Sequence, residues 1–228
     1  MEKQAKSVVG DVKMPKLKMN GVRAAAVNAA GVTVATYFGV MAIFAAIAGF
    51  TKGEWTFGLP ALMVFVPAYG STASYLVLAA VLTLVGGLIG FFTLKKLTDA
   101  AAVKKVWNII GEIFMVIAGV LALSAVTTAI FSIMGIGKKA GVDQGTLWLS
   151  TFLPTVIRFA TAGTIAFLAK KIAAGKLEVL KIFSIVAALI AAVALILVIV
   201  QTMVSFYAKK SSSSRYYDDD DWSSLYDY

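Results

Sequence analysis

Two charged residues stand inside long apolar stretches, and chemistry within a membrane would have to use them. Arg158, in FLPTVIRFATAG, lies in the middle of the apolar stretch Leu147–Ala169. A guanidinium at the centre of a hydrocarbon layer costs about 2.5–3.5 kcal/mol on insertion scales, so it must face protein or water. There it can bond to a neighbouring helix, which is the expected role, or contact an anion or gate a proton path. Pro154, four residues earlier, cannot donate to the carbonyl of Ser150, so a kink is expected at that point. The expected partner of Arg158 is Glu112, the acid inside the stretch Trp107–Gly135. Their depths differ by roughly 8 Å at 1.5 Å per residue, a gap two long side chains can bridge.

Other chemistries lack their residues. The chain has no His and no Cys, which removes disulfides, thiolate nucleophiles, imidazole-based metal or haem sites and the usual catalytic triads. No apolar stretch carries paired carboxylates, and no phosphate-binding glycine loop or GxSxG turn occurs. The expectation is a protein that is not an enzyme and needs no metal or cofactor.

The elements that must position Arg158 and Glu112 follow from composition. Of 228 residues, 60% are hydrophobic and 14% charged, against about 25% charged in soluble domains. Mean hydropathy is +0.86. Crossing roughly 30 Å of hydrocarbon takes about 20 apolar residues. Five stretches have that length: Ala24–Phe50, Thr72–Leu94, Trp107–Gly135, Leu147–Ala169 and Ile182–Tyr207. The expected fold is therefore an all-α, polytopic membrane helix bundle of about five spans over 24–208. Trp55–Gly70 is shorter and holds Pro60 and Pro67, so it reads as a broken or re-entrant segment.

Charge sets the expected orientation. The net charge is +9, which in an apolar chain points to anionic lipid at the membrane surface and not to nucleic acid. The arm 1–23 holds Lys3, Lys6, Lys13, Lys16, Lys18 and Arg23. Lys95, Lys96, Lys104 and Lys105 follow the second span, and Lys170, Lys171, Lys176 and Lys181 the fourth. With five spans these share one side, whereas the loops of the other side hold only Lys52, Lys138 and Lys139. The positive-inside rule then puts the N-terminus in the cytoplasm of a plasma-membrane protein. The first span is too long for a cleaved signal core and reads as an uncleaved anchor. Trp55, Tyr69, Tyr75, Trp148 and Tyr207 would anchor the outer interface and Trp107 the inner one.

Two features point to partners. Small residues recur at four-residue spacing, as Gly31, Ala35 and Gly39, Gly86 and Gly90, Ala162 and Ala166, and Ala188 and Ala192. Such faces let helices approach closely, within the chain or in a homo-oligomer. The tail 209–228 cannot build a core and is expected to be unstructured alone and, by parity, outside. Its Tyr216, Tyr217, Asp218, Asp219, Asp220, Asp221 and Trp222 combine charge with hot-spot contact area. The functional expectation is a scaffold or accessory subunit with an external docking tail. The alternative is a small transporter or channel with Arg158 on its pathway.

Overall fold

The structure is a computed structural model that describes residues 21–50, 72–135 and 152–215, together with positions 141, 145 and 148. Pro60, Pro67, Lys52, Lys138, Lys139, the arm 1–20 and the tail residues Tyr216, Tyr217, Asp218 to Asp221 and Trp222 lie outside the described residues. Among the described residues the chain is all-helical. It forms α1 (Gly21–Phe50), α2 (Thr72–Leu94), α3 (Ala100–Ile133), α4 (Leu153–Ala173) and α5 (Leu177–Arg215).

Four of these are long and apolar enough to cross a membrane, over Gly21–Ile47, Val77–Leu94, Ala100–Ile133 and Leu177–Val204. This is the helical bundle expected from the apolar stretches. The fifth helix, α4, spans 21 residues but carries Arg158, Lys170 and Lys171 among several threonines, and does not reach the same apolarity. Leu147, the expected start of this stretch, lies outside the described residues. Pro154 is the second residue of α4, in the first turn, where its missing N–H is one the helix would leave free anyway. Positions 145, 148 and 152 are helical as well, and 149–151 lie outside the described residues, where the effect of Pro154 on the preceding turn would be read. Arg158 is five residues from Leu153 and fifteen from Ala173, the bounds of α4.

Two other helices outrun their apolar cores. α3 begins seven residues before Trp107 because Asp99 caps it: the carboxylate accepts from the N–H groups of Ala101 and Ala102, both at 3.0 Å. Lys104 and Lys105, which look like loop residues, occupy its second turn. α5 runs 39 residues, roughly 58 Å, and continues through Ser211–Ser214 to Arg215. Residues 209–215, expected to belong to an unstructured tail, are therefore helical. Serine costs a helix only a few tenths of a kcal/mol per residue, so an established helix carries through.

α1 is the central element. It packs on α2 and α5 and more lightly on α3 and α4, while α2 also packs on α5 and α3 on α4. Glycine brings α1 onto α2. A Cβ built on Gly31 would lie 2.6 Å from the carbonyl oxygen of Gly86 and 2.8 Å from the nitrogen of Gly90. The expected Gly31, Gly39, Gly86 and Gly90 faces are therefore intramolecular contacts, with Gly39 against Thr83 and Ile190. On α5 the buried small stripe is Ala187, Ala191 and Ala194, one residue off the expected Ala188 and Ala192. Gly87 of α2 sets that register by meeting Ala187, Ala188 and Ala191. Trp107 is not an interfacial anchor. It is fully buried against Phe183, with ring centroids 5.8 Å apart.

Many of the threonine hydroxyls in these helices are satisfied locally. Thr33, Thr36, Thr83, Thr93, Thr161, Thr164 and Thr202 each donate to the carbonyl four residues earlier, at 2.6–2.8 Å. This pairing lets a polar residue sit in an apolar helix without an orphaned donor.

Candidate functional site

Helix direction gathers the lysines. Gly21 at the start of α1 abuts Asp99, and Gly175 in the α4–α5 turn abuts the Lys104 side chain. The start of α1, the α2–α3 turn and the α4–α5 turn therefore meet at one end of the bundle. Arg23, Lys95, Lys96, Lys104, Lys105, Lys170, Lys171, Lys176 and Lys181 all belong to this end. Among the described residues the remaining cations are Arg158 and, on the far part of α5, Lys209, Lys210 and Arg215. The chain ahead of the tail leaves from the end opposite to Gly21.

The structure does not bring Arg158 and Glu112 together. Gly111 of α3 packs on Ala169 and Lys170 of α4, and this register puts Glu112 opposite Lys170. Lys170 Nζ is 3.5 Å from Glu112 Oε1. Asn108 completes the group: its Nδ2 donates to Glu112 Oε1 at 2.8 Å, and Lys170 Nζ donates to Asn108 Oδ1 at 3.1 Å. Arg158 lies twelve residues from Lys170 along α4, roughly 18 Å at 1.5 Å per residue, beyond the reach of Glu112. The pairing expected from the sequence fails because the antiparallel register of α3 and α4 differs by about two turns from the depth count. Glu112 is also on the outside of the bundle, 62% exposed, where Lys170 neutralises it.

Arg158 has a polar neighbour on α1 instead. It is half-buried, and Tyr37 of α1 lies within electrostatic reach of it. Tyr37 in turn stacks edge-on against Phe114 of α3, with centroids 6.0 Å apart. The Nε of Arg158 is buried without a hydrogen-bond partner. A cation held at a three-helix junction with a free donor can receive an anionic or carbonyl oxygen.

A second polar level was not legible as a site in the sequence. Asn28 of α1 is fully buried, and its Nδ2 donates to the Gly90 carbonyl of α2 at 2.6 Å and to Thr93 Oγ1 at 3.4 Å. Trp107 of α3 and Ser184 of α5 are equally buried. Asn28, Trp107 and Ser184 each stand seven residues into helices that start at the lysine-rich end, so they share a depth of roughly 10 Å. Asn28 Oδ1, Trp107 Nε1 and Ser184 Oγ have no hydrogen-bond partner. A lone Asn in an apolar span was the available signal, because such a side chain must find a partner on another helix. Among the described residues no group of three or more carboxylate, imidazole or thiol side chains comes together to hold a metal. No protein-family model, curated protein or solved structure matches this chain.

Proposed function

We propose that this chain is a non-enzymatic, multi-pass protein of the plasma membrane that serves as a scaffold or accessory subunit of a larger complex. The observation that carries the reading is the outer face of α3. Only 17% of its most apolar stretch is buried inside the bundle, against 50% for α1. Val116, Val120, Leu123 and Ile133 are 68%, 64%, 66% and 79% exposed. A helix so little covered by its own chain offers a long apolar surface to lipid or to another subunit. The lysine-rich end supports a cytoplasmic N-terminus, since basic residues collect on that side. The departure of α5 from the opposite end supports an external position for Tyr216 to Trp222, as a docking peptide. The absence of Cys makes a test direct. A cysteine introduced at Leu123 is unique and should crosslink to a co-purifying protein in native membranes. Removal of 216–228 should release that partner. A monodisperse monomer with neither crosslink nor partner overturns the reading.

The buried, unpartnered Nε of Arg158 favours a second reading, a small transporter or channel with Arg158 on its pathway. Iodide uptake into proteoliposomes that is lost in Arg158→Gln supports it. Equal uptake by protein and empty liposomes removes it.

A further inference from the structure

The lysine-rich end contains a cleft of about 150 Å³ between the α2–α3 turn and the first turn of α5. Leu94, Leu97, Val103, Leu177 and Leu180 form apolar walls, and Thr98 and Lys181 bring polar groups to it. It is blind. Its inner walls include Val103 and Leu180, both only 2% exposed, and one turn further in stand the fully buried Trp107 and Ser184. Lys181 is the cation that lines the cleft, and Lys95 and Lys96 on the α2–α3 turn and Lys104 and Lys176 at the α4–α5 turn belong to the same end of the bundle. Two acids also stand there. Asp99 is committed to the α3 cap, and Glu178 is an exposed residue of the first turn of α5. The local balance stays positive.

We propose that this cleft is a binding site for one anionic phospholipid, an inference that rests on the membrane reading above. A hydroxyl, an ammonium and leucine walls at the edge of a membrane-spanning bundle match the junction of a lipid, where a phosphate meets glycerol and acyl carbon. The volume is too small for a whole lipid. It holds the glycerol-phosphate region, with the acyl chains left along the outside, beginning at the 38%-exposed Leu177. Charge complementarity selects an anionic headgroup over a zwitterionic one, because a basic side chain near an anionic surface gains about 1 kcal/mol, a factor of about five.

The test is native mass spectrometry of the full chain in detergent micelles doped with either phosphatidylglycerol or phosphatidylcholine. One phosphatidylglycerol adduct should persist at collision energies that strip phosphatidylcholine. Lys181→Ala should lower its occupancy about five-fold, and Thr98→Trp, which fills the cleft from its exposed rim with every lysine intact, should abolish it. Lys105→Ala removes a lysine of the same end that does not line the cleft, and should leave the adduct unchanged. Equal retention of the two lipids overturns the proposal. So do equal losses in the Lys181 and Lys105 variants, which would make the preference a diffuse surface effect. The membrane reading fails separately, if the protein is recovered in the soluble fraction without detergent.

Discussion

At the scale of single residues, the polar groups divide by whether their own helix satisfies them. The threonines bond back one turn, whereas Asn28 donates to another helix, Glu112 takes Asn108 from its own helix and Lys170 from α4, and the Nε of Arg158 has no hydrogen-bond partner. Asn28→Ala removes an interhelical hydrogen bond and should destabilise the bundle by about 0.6–1.7 kcal/mol, read as a lowered unfolding temperature in detergent. Arg158→Gln and Glu112→Gln should have additive effects, because residues roughly 18 Å apart without a shared partner rarely couple. Glu112→Gln and Lys170→Gln should instead show a coupling of a few tenths of a kcal/mol to about 1 kcal/mol in a double-mutant cycle, modest because the pair is exposed. Residue types in the sequence were enough to pick out Arg158 and Glu112 as the charges to explain. They did not reveal that Lys170 and Asn108 take Glu112, because helix depth counted from assumed span ends carries the error of those ends. The Asp99 cap moved one of those ends, starting α3 at Ala100 instead of Trp107.

At the scale of elements, the glycines separate into those that set helix distance and those that do not. Gly31 meets the backbone of α2, and even one methyl group there must push α1 away. Gly31→Ala should cost about 1–3 kcal/mol, in line with overpacking of a close contact. Gly119 of α3 has no atom within 4 Å of a built Cβ. Gly119→Ala should be neutral or should stabilise by up to about 1 kcal/mol through helix propensity alone. Thermal unfolding of the two variants side by side checks both. The four-residue spacing of small residues was visible beforehand, and so was the existence of each long helix. The faces of α1 and α2 came out as expected, but on α5 the buried stripe is one residue displaced. Alanine is so frequent in that helix that spacing alone admits several faces, and the contact with Gly87 decides among them.

At the scale of the whole molecule, the alternation of helix directions collects nine cations from three separate segments at one end. The orientation prediction follows from that collection. Single cysteines placed at Lys176 and at Ser223 should label oppositely with a membrane-impermeant maleimide on intact cells. Position 223 should react, and position 176 should react only after the cells are permeabilised. Labelling of both, or the reverse order, would overturn the proposed topology. The α3–α4 hairpin joins the α1–α2–α5 group chiefly through α1, with the Trp107–Phe183 contact adding a link to α5. Trp107 thus works as a core residue, although tryptophan beside lysines at a span end reads as an interfacial anchor. Seven residues of helix before it, held by the Asp99 cap, carry it inward from the lysine end.

The sequence by itself determined that this is an apolar helical bundle, which residues are too polar to face lipid unpaired, and which segments carry the positive charge. Those properties follow from composition, hydrophobic length and residue type, which need no partner to define them. The tertiary structure alone decided which polar groups meet. It gave Glu112 to Lys170, set Tyr37 beside Arg158, buried Trp107, and placed Lys181 and Thr98 on one cleft. Each of these depends on helix register, and register is fixed by glycine contacts and caps that act between segments far apart in the chain.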